Sequence, residues 1–330
     1  MTAPDAAVGG STPAEFLDRL HTSVGREIVG YRDVVRALAV ALVAEGHVLL
    51  EGVPGLAKTS LVRAFSQSLR LEFRRIQFTP DMLPSDILGT TVFHPADQTF
   101  EFRPGPIFAN VILADEINRA PPKVQSALLE AMQERQVTID GTSRPLPRPF
   151  VVIATQNPIE QEGTYPLPEA ELDRFLFRWV VGYPSSADEV SILKSRAAAG
   201  NGGGVTPIVD VAEIDGLRRA SRDVYLADDL FEYLAGVVRQ TRRDPRLLLG
   251  ASPRASVQFL AAVKASALLD GRAYVVPDDV RELAFPVLNH RVLLRPEVIA
   301  AGAGRTEILG PMRQLRQLLR ENVDAVPVPR

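Results

Sequence analysis

The 330-residue sequence contains no cysteine, so disulfides and cysteine-ligated metals are excluded, a pattern compatible with a reducing compartment. Its four histidines, His21, His47, His94 and His290, show no metal-ligand spacing and read as structural or exposed. No apolar stretch is long enough to span a bilayer. The longest run, Ala37 to Ala44, is bounded by Arg36 and Glu45 and reads as a buried helix. The opening MTAPDAAVGGSTPAE lacks a basic n-region and an apolar h-region, so no secretory signal is expected and a cytoplasmic location is. An excess of positive charge is missing too: a net charge of −3 and a pI near 5.9 are not the footprint of a dedicated nucleic-acid binder.

What is present is ordinary globular composition, with 23% charged and 46% hydrophobic residues, over a length that suits two domains. Helical periodicity runs from Glu15 to Val24 and through Val34, Val35, Leu38 and Leu42. His47-Val48-Leu49-Leu50 then reads as a buried parallel strand. Phe73–Phe78, Val111–Ala114 and Phe150–Ala154 repeat that strand signal between helical stretches such as Val124–Glu134. This alternation predicts an α/β fold with a mainly parallel sheet between helical layers. Two β-hairpins are expected to protrude from it. One is built from Thr91–Phe93 and Thr99–Phe102, with Phe93, Phe100 and Phe102 as a local cluster; the other turns at Asp140-Gly141.

After Tyr183-Pro184 the strand signals stop. A helix around Asp188–Ala197 leads into the glycine-rich AAAGNGGGVTP, and from Asp210 the pattern is helical. Leu230, Leu234, Val237 and Val238 form one apolar stripe, and Val257, Leu260, Ala261 and Leu268 the next. The organisation read from this is a mobile tail over 1–13, a core over 14–183, a linker over 184–209 and an all-helical lid over 210–330.

The chemistry is concentrated in Gly52-Val53-Pro54-Gly55-Leu56-Ala57-Lys58-Thr59, followed by Ser60. It follows a strand and opens a helix, as a phosphate-binding P-loop must, but Ala57 stands where the second glycine of G-x-x-x-x-G-K-[ST] belongs. Ala57 lies next to Lys58, where the chain enters the helix, so alanine is expected to adopt helical angles there. Backbone N–H groups and the helix N-terminus would bind phosphate while Lys58 neutralises its charge. An apolar strand ending in Asp115-Glu116 supplies an acid to hold Mg²⁺ with Thr59 and an acid to polarise a water. Another strand ends in Thr155-Gln156-Asn157-Pro158, which brings the Asn157 amide to the same crevice.

Together GVPGLAKT, ILADEINRAPPKVQSALLEAMQE, ATQNPIEQEGTYPLPEAELDRF and GASPRAS resemble the MoxR family of AAA+ ATPases, in the branch that includes the magnesium-chelatase motor subunit. The resemblance runs from Glu27 to Phe175 and through the helical region to Leu294, and alanine before the lysine is usual in that family. It implies ATP and Mg²⁺, with Asn157 as sensor 1 and Arg254 as sensor 2. Arg174 is implied as an arginine finger, with Arg178 its rival. Val29 and Gly30 are placed near adenine, and the nucleotide between core and lid. The local sequence Ser252-Pro253-Arg254 reads as a capped helix start, Ser252 being the N-cap. It further implies a homo-oligomeric ring, a hexamer, that remodels protein complexes, with a von Willebrand factor A domain protein as a possible client. A chelatase-like motor subunit or a nucleic-acid-associated motor is the alternative, the latter disfavoured by hairpins poor in basic residues.

Overall fold

Thr12 and Glu15 close a capping box, each side chain accepting the other's backbone N–H at 3.3 and 2.7 Å, and so start α1 (Pro13–Gly25). The computed structural model describes residues 12–53, 55–157, 164–198, 205, 207–302 and 310–329. Most of the expected tail, Pro54 and most of the glycine-rich linker lie outside the described residues. The chain continues through α2 (Arg32–Val43), β1 (Val48–Glu51), α3 (Lys58–Ser68), β2 (Phe73–Gln77) and α4 (Pro84–Leu88). The first hairpin is β3 (Gly89–His94) with β4 (Thr99–Pro104). After β5 (Val111–Asp115) and α5 (Pro122–Glu134) comes the second, β6 (Gln136–Ile139) with β7 (Thr142–Pro145). Its turn residues Asp140 and Gly141 have φ of 50° and 76°, the left-handed pair that a two-residue hairpin needs. The core closes with β8 (Val151–Gln156), α6 (Glu169–Leu172), β9 (Phe177–Val180) and α7 (Ser186–Ala198).

Five parallel strands form the sheet in the order β2-β5-β8-β1-β9. Successive residues face opposite layers, as strand geometry requires. Val48, Leu50, Val111, Leu113, Val151 and Ile153 pack toward α1, α2 and α3, while Leu49, Ile112, Ala114, Val152 and Ala154 pack toward α4 and α5. Both faces are covered, which is why these strands read as continuous apolar runs. The sequence reading omitted β9. The chain leaves β1 for β2 on one side and β8 for β9 on the other, so the connections diverge and open a crevice at the strands' carboxyl ends.

The remainder is helical: α8 (Val211–Asp223), α9 (Asp228–Arg243), α10 (Pro253–Leu269), α11 (Pro277–Leu288), α12 (Pro296–Gly302) and α13 (Gly310–Asp324). One short antiparallel pair, β10 (Leu247–Leu249) with β11 (Leu293–Leu294), departs from the all-helical expectation. On α10 the buried face is Ala255, Phe259, Ala262, Val263 and Ser266, whereas Val257 is 69% exposed. Of the expected stripe Leu268 is buried and Leu260 and Ala261 are half-buried, so only Val257 turns to solvent, because α10 is apolar nearly all round and packs against α1, α2, α8, α9 and α11. The lid shares one apolar cluster with α1, α2 and α3. Arg36 ties it down through Asp270 at 2.6 Å and Ser266 at 2.7 Å. Among the described residues no helix is long and apolar enough to cross a membrane.

The expected aromatic cluster on the first hairpin divides in two. Phe93 and Phe100 stack at 5.0 Å and stay exposed, while Phe102 turns inward against Phe108 at 5.6 Å.

Candidate functional site

The loop after β1 meets the ends of β5 and β8 around a cavity of about 370 Å³. Gly55, Leu56, Ala57, Lys58, Thr59, Ser60, Asp115, Glu116 and Asn157 line it, together with Arg75, Thr155 and Gln156. The first nine are site residues that the sequence predicts. Gly52 and Val53 join the site through their carbonyls, which accept from Lys58 Nζ, the second at 3.4 Å. A side chain at Gly52 would put its Cβ 2.8 Å from the Val181 carbonyl, so glycine is needed for the close approach of the loop to the residue that follows β9.

Ala57 does not have the helical angles expected of it. Its φ of 53° and ψ of 22° are left-handed, a conformation that favours glycine, and it forms the N-cap of α3. Such a backbone costs a non-glycine residue about 1–2 kcal/mol. Lys58 follows as the first helical residue; burial lowers its pKa, and Asp115, Glu116 and Glu51 oppose that shift.

Asp115 is the hub of the site. Its Oδ2 accepts Thr59 Oγ1 at 3.1 Å and the Arg75 guanidinium at 2.7 and 3.0 Å, and its Oδ1 accepts the Thr155 hydroxyl at 2.6 Å. The same Thr155 oxygen accepts the Glu116 backbone N–H at 2.9 Å. Glu116 is left-handed, with φ 58° and ψ 51°, and its Oε2 accepts Gln77 and Arg119, each at 3.0 Å. A strained backbone held from three directions is the kind of over-determination found where a side chain must be aimed.

Arg75, Gln77, Arg119 and Thr155 escaped sequence reading. Gln77 pairs in register with Asp115 across β2 and β5, and Arg75 lies two residues back on the same face. The alternation 75, 77 was visible, but which strand it would face was not.

Thr59 Oγ1 and Asp115 Oδ2 form a hard-oxygen pair. Such a pair fits Mg²⁺, which takes one or two protein oxygens and completes its shell with water and phosphate. No group of three or more His, Cys, Asp or Glu able to hold a metal occurs among the described residues.

The other expected site residues stand apart. Arg174 and Arg254 do not line this cavity, nor does any lid residue, although the nucleotide was expected between core and lid. Val29 and Gly30 lie between α1 and α2, also outside the lining, with Gly30 against Asp188. Arg178 is committed to Glu51, with Nε at 2.6 Å and Nη2 at 2.5 Å. Ser252 occupies the N-cap position of α10, but its hydroxyl donates to Asp173 at 3.2 Å instead of capping the helix. His47 and His290 are buried; the Nε2 of each donates to a carbonyl, of Met132 and Phe175 respectively.

Residues 47–177 match the family model of the ATPase family associated with various cellular activities (AAA), and residues 239–309 match the AAA lid domain. Chaperone MoxR1 of Mycobacterium tuberculosis is 43% identical over 338 residues, covering 98% of this chain and 87% of that protein. The chain belongs to the MoxR family of AAA+ ATPases. YeaC of Bacillus subtilis is a 46% identical relative over 306 residues, covering 93% of this chain and 92% of its own. A solved structure from Cytophaga hutchinsonii superposes with a TM-score of 0.86 at 39% identity, covering 96% of each chain.

Proposed function

We propose that this MoxR chain hydrolyses ATP to ADP and phosphate in a Mg²⁺-dependent reaction, as a ring, a hexamer, that remodels a protein client. One observation carries the reading: Lys58, Thr59, Asp115, Glu116 and Asn157, drawn from three chain segments, converge on a single cavity at the P-loop. The loop N–H groups and Lys58 bind the phosphates. Thr59 and Asp115 hold the metal, which when bound supplies charge neutralisation at the phosphate oxygens. Glu116 accepts the proton of the attacking water, and Asn157 orients that water. Thr155 keeps Asp115 and Glu116 in fixed relation. Glu116 must exchange its bonds to Gln77 and Arg119 for the water, so those two residues set how readily it engages.

Arg174 and Arg254 act in this reading on the nucleotide of a neighbouring subunit. Neither lines the chain's own cavity, and Ser252, two residues before Arg254, bonds Asp173, the neighbour of Arg174. The two arginines thus belong to adjoining segments of core and lid. Arg178, ion-paired within the chain, is the poorer finger. The client is a protein complex, with von Willebrand factor A domain proteins the first to try.

Phosphate release under multiple turnover tests the reaction. Lys58→Ala is expected to lose nucleotide binding, and Glu116→Gln to keep Mg-ATP affinity while losing turnover. Loss of binding in Glu116→Gln would assign Glu116 to a structural or metal-holding role. Affinity capture with Glu116→Gln and ATP is the route to the client.

A further inference from the structure

The lid grips its own core at the segment joining α6 to β9, where Arg174 lies. Three consecutive residues after α11 make the contact. Asn289 Nδ2 donates to the Arg178 carbonyl at 2.9 Å, and His290 Nε2 donates to the Phe175 carbonyl at 2.9 Å. Arg291 donates to the same Phe175 carbonyl at 2.5 Å and to Asp173 Oδ1 at 2.8 Å. The bonded positions 173 and 175 bracket Arg174.

Arg291 is not a loose surface tie, for its side chain is 1% exposed and also donates to the Val287 carbonyl at 2.5 Å and to Gln258. Burial lowers its pKa to about 10, with Asp173 the main opposing influence, so it stays charged near neutral pH. A buried guanidinium separated from its carboxylate is costly, which obliges Asp173 and Arg291 to move together. The Arg174 side chain is held far more lightly, by Gln133 at 3.2 Å and Glu171 at 3.9 Å. The backbone on both sides of Arg174 is therefore carried by the lid, while its guanidinium, a quarter exposed and with Nη1 buried without a hydrogen-bond partner, has few bonds of its own to give up. A cavity of about 550 Å³ beside the contact, lined by Asp173, Arg178 and His290 among others, leaves room for the segment to shift.

We propose that Asn289, His290 and Arg291 are positioning residues that set the placement of Arg174, so that lid movement in one subunit is felt at the neighbouring subunit's nucleotide. This rests on Arg174 acting as a finger in trans. A misplacement of about 1 Å at such a group costs on the order of 10²-fold in rate.

Variants on the two sides of the contact test it. Arg291→Lys keeps the charge beside Asp173 but lacks the planar fork that reaches several acceptors at once. Asp173→Asn removes the ion pair from the core side and carries the test if Arg291→Lys fails to fold. Each is expected to lose about 10²-fold in kcat with unchanged nucleotide Kd. Mixing with Glu116→Gln subunits should restore phosphate release, because those subunits supply a correctly placed Arg174 to a site whose Glu116 is intact. Mixing with Arg174→Ala subunits should restore nothing, since both partners lack the same half of the site. Restoration by Arg174→Ala, or no loss of kcat in either variant, overturns the proposal. If Arg174→Ala and Glu116→Gln complement each other while Arg291→Lys and Asp173→Asn behave otherwise, this proposal alone falls. If that reference pair fails to complement, the finger reading falls and the clamp has nothing to position.

Discussion

The Arg144 guanidinium lies over the Phe102 ring, 3.9 Å from its centroid, and joins the two hairpins that leave the core. Phe102 belongs to β4 and Arg144 to β7, which are otherwise separate two-stranded ladders. A contact of this kind contributes roughly 0.5–2 kcal/mol. Arg144→Ala should leave nucleotide affinity unchanged and increase amide exchange over β3 and β4. Equal exchange in both proteins would mean that the hairpins move independently. Deleting Pro95 to Gln98 removes the loop between β3 and β4 without touching the Phe102–Phe108 contact, so folding and nucleotide binding should survive while client-dependent function weakens.

Ala57→Gly places glycine at φ 53°, where the left-handed strain of about 1–2 kcal/mol disappears. The added freedom of the unfolded chain returns about 0.4–1 kcal/mol of it. A small net gain in stability is expected in denaturant titration, with nucleotide affinity nearly unchanged. A large gain in affinity would show that alanine impairs the loop.

Thr155→Val should weaken the site more than its modest size suggests. The isosteric change strands Asp115 Oδ1 and the Glu116 N–H, both of which depend on the one hydroxyl. Each unsatisfied buried group costs about 1–3 kcal/mol. Turnover should fall with a smaller change in nucleotide Kd, and calorimetry beside phosphate release will separate the two. Thr155→Ser keeps the hydroxyl and should recover most of the activity.

Stability should decline below neutral pH because of two buried histidines. Burial lowers the pKa of His47 to about 4 and drives His290 well below its usual value. The unfolded chain takes up protons near pH 6.5 while the native histidines stay neutral, so stability is full above that pH and is lost as pH falls toward 4. Between pH 7.5 and 5.5 His47 alone accounts for about 1 kcal/mol, from one proton taken up by the unfolded state. His290 acts with the same sign. Urea midpoints at the two pH values measure the sum; identical midpoints would mean that both histidines protonate in the native state.

The sequence by itself determined the features that depend on neighbours along the chain. The strand–loop–helix around Lys58, the acids closing β5 and the left-handed Asp140-Gly141 turn were all legible, because period two, period 3.6 and turn chemistry are local. Only tertiary structure decided what depends on which segments meet. Gln77 faces Asp115 because β2 pairs with β5, and nothing within β2 specifies that partner. The buried side of α10 was legible only in part, at Leu268, because the helix is apolar on several faces and packs against five others. Ala57 is left-handed although alanine does not favour that backbone, so the surrounding fold and not the residue type imposes it. The grip of Arg291 on Asp173, 118 residues apart in the chain, exists only because the lid folds back onto the segment that carries Arg174.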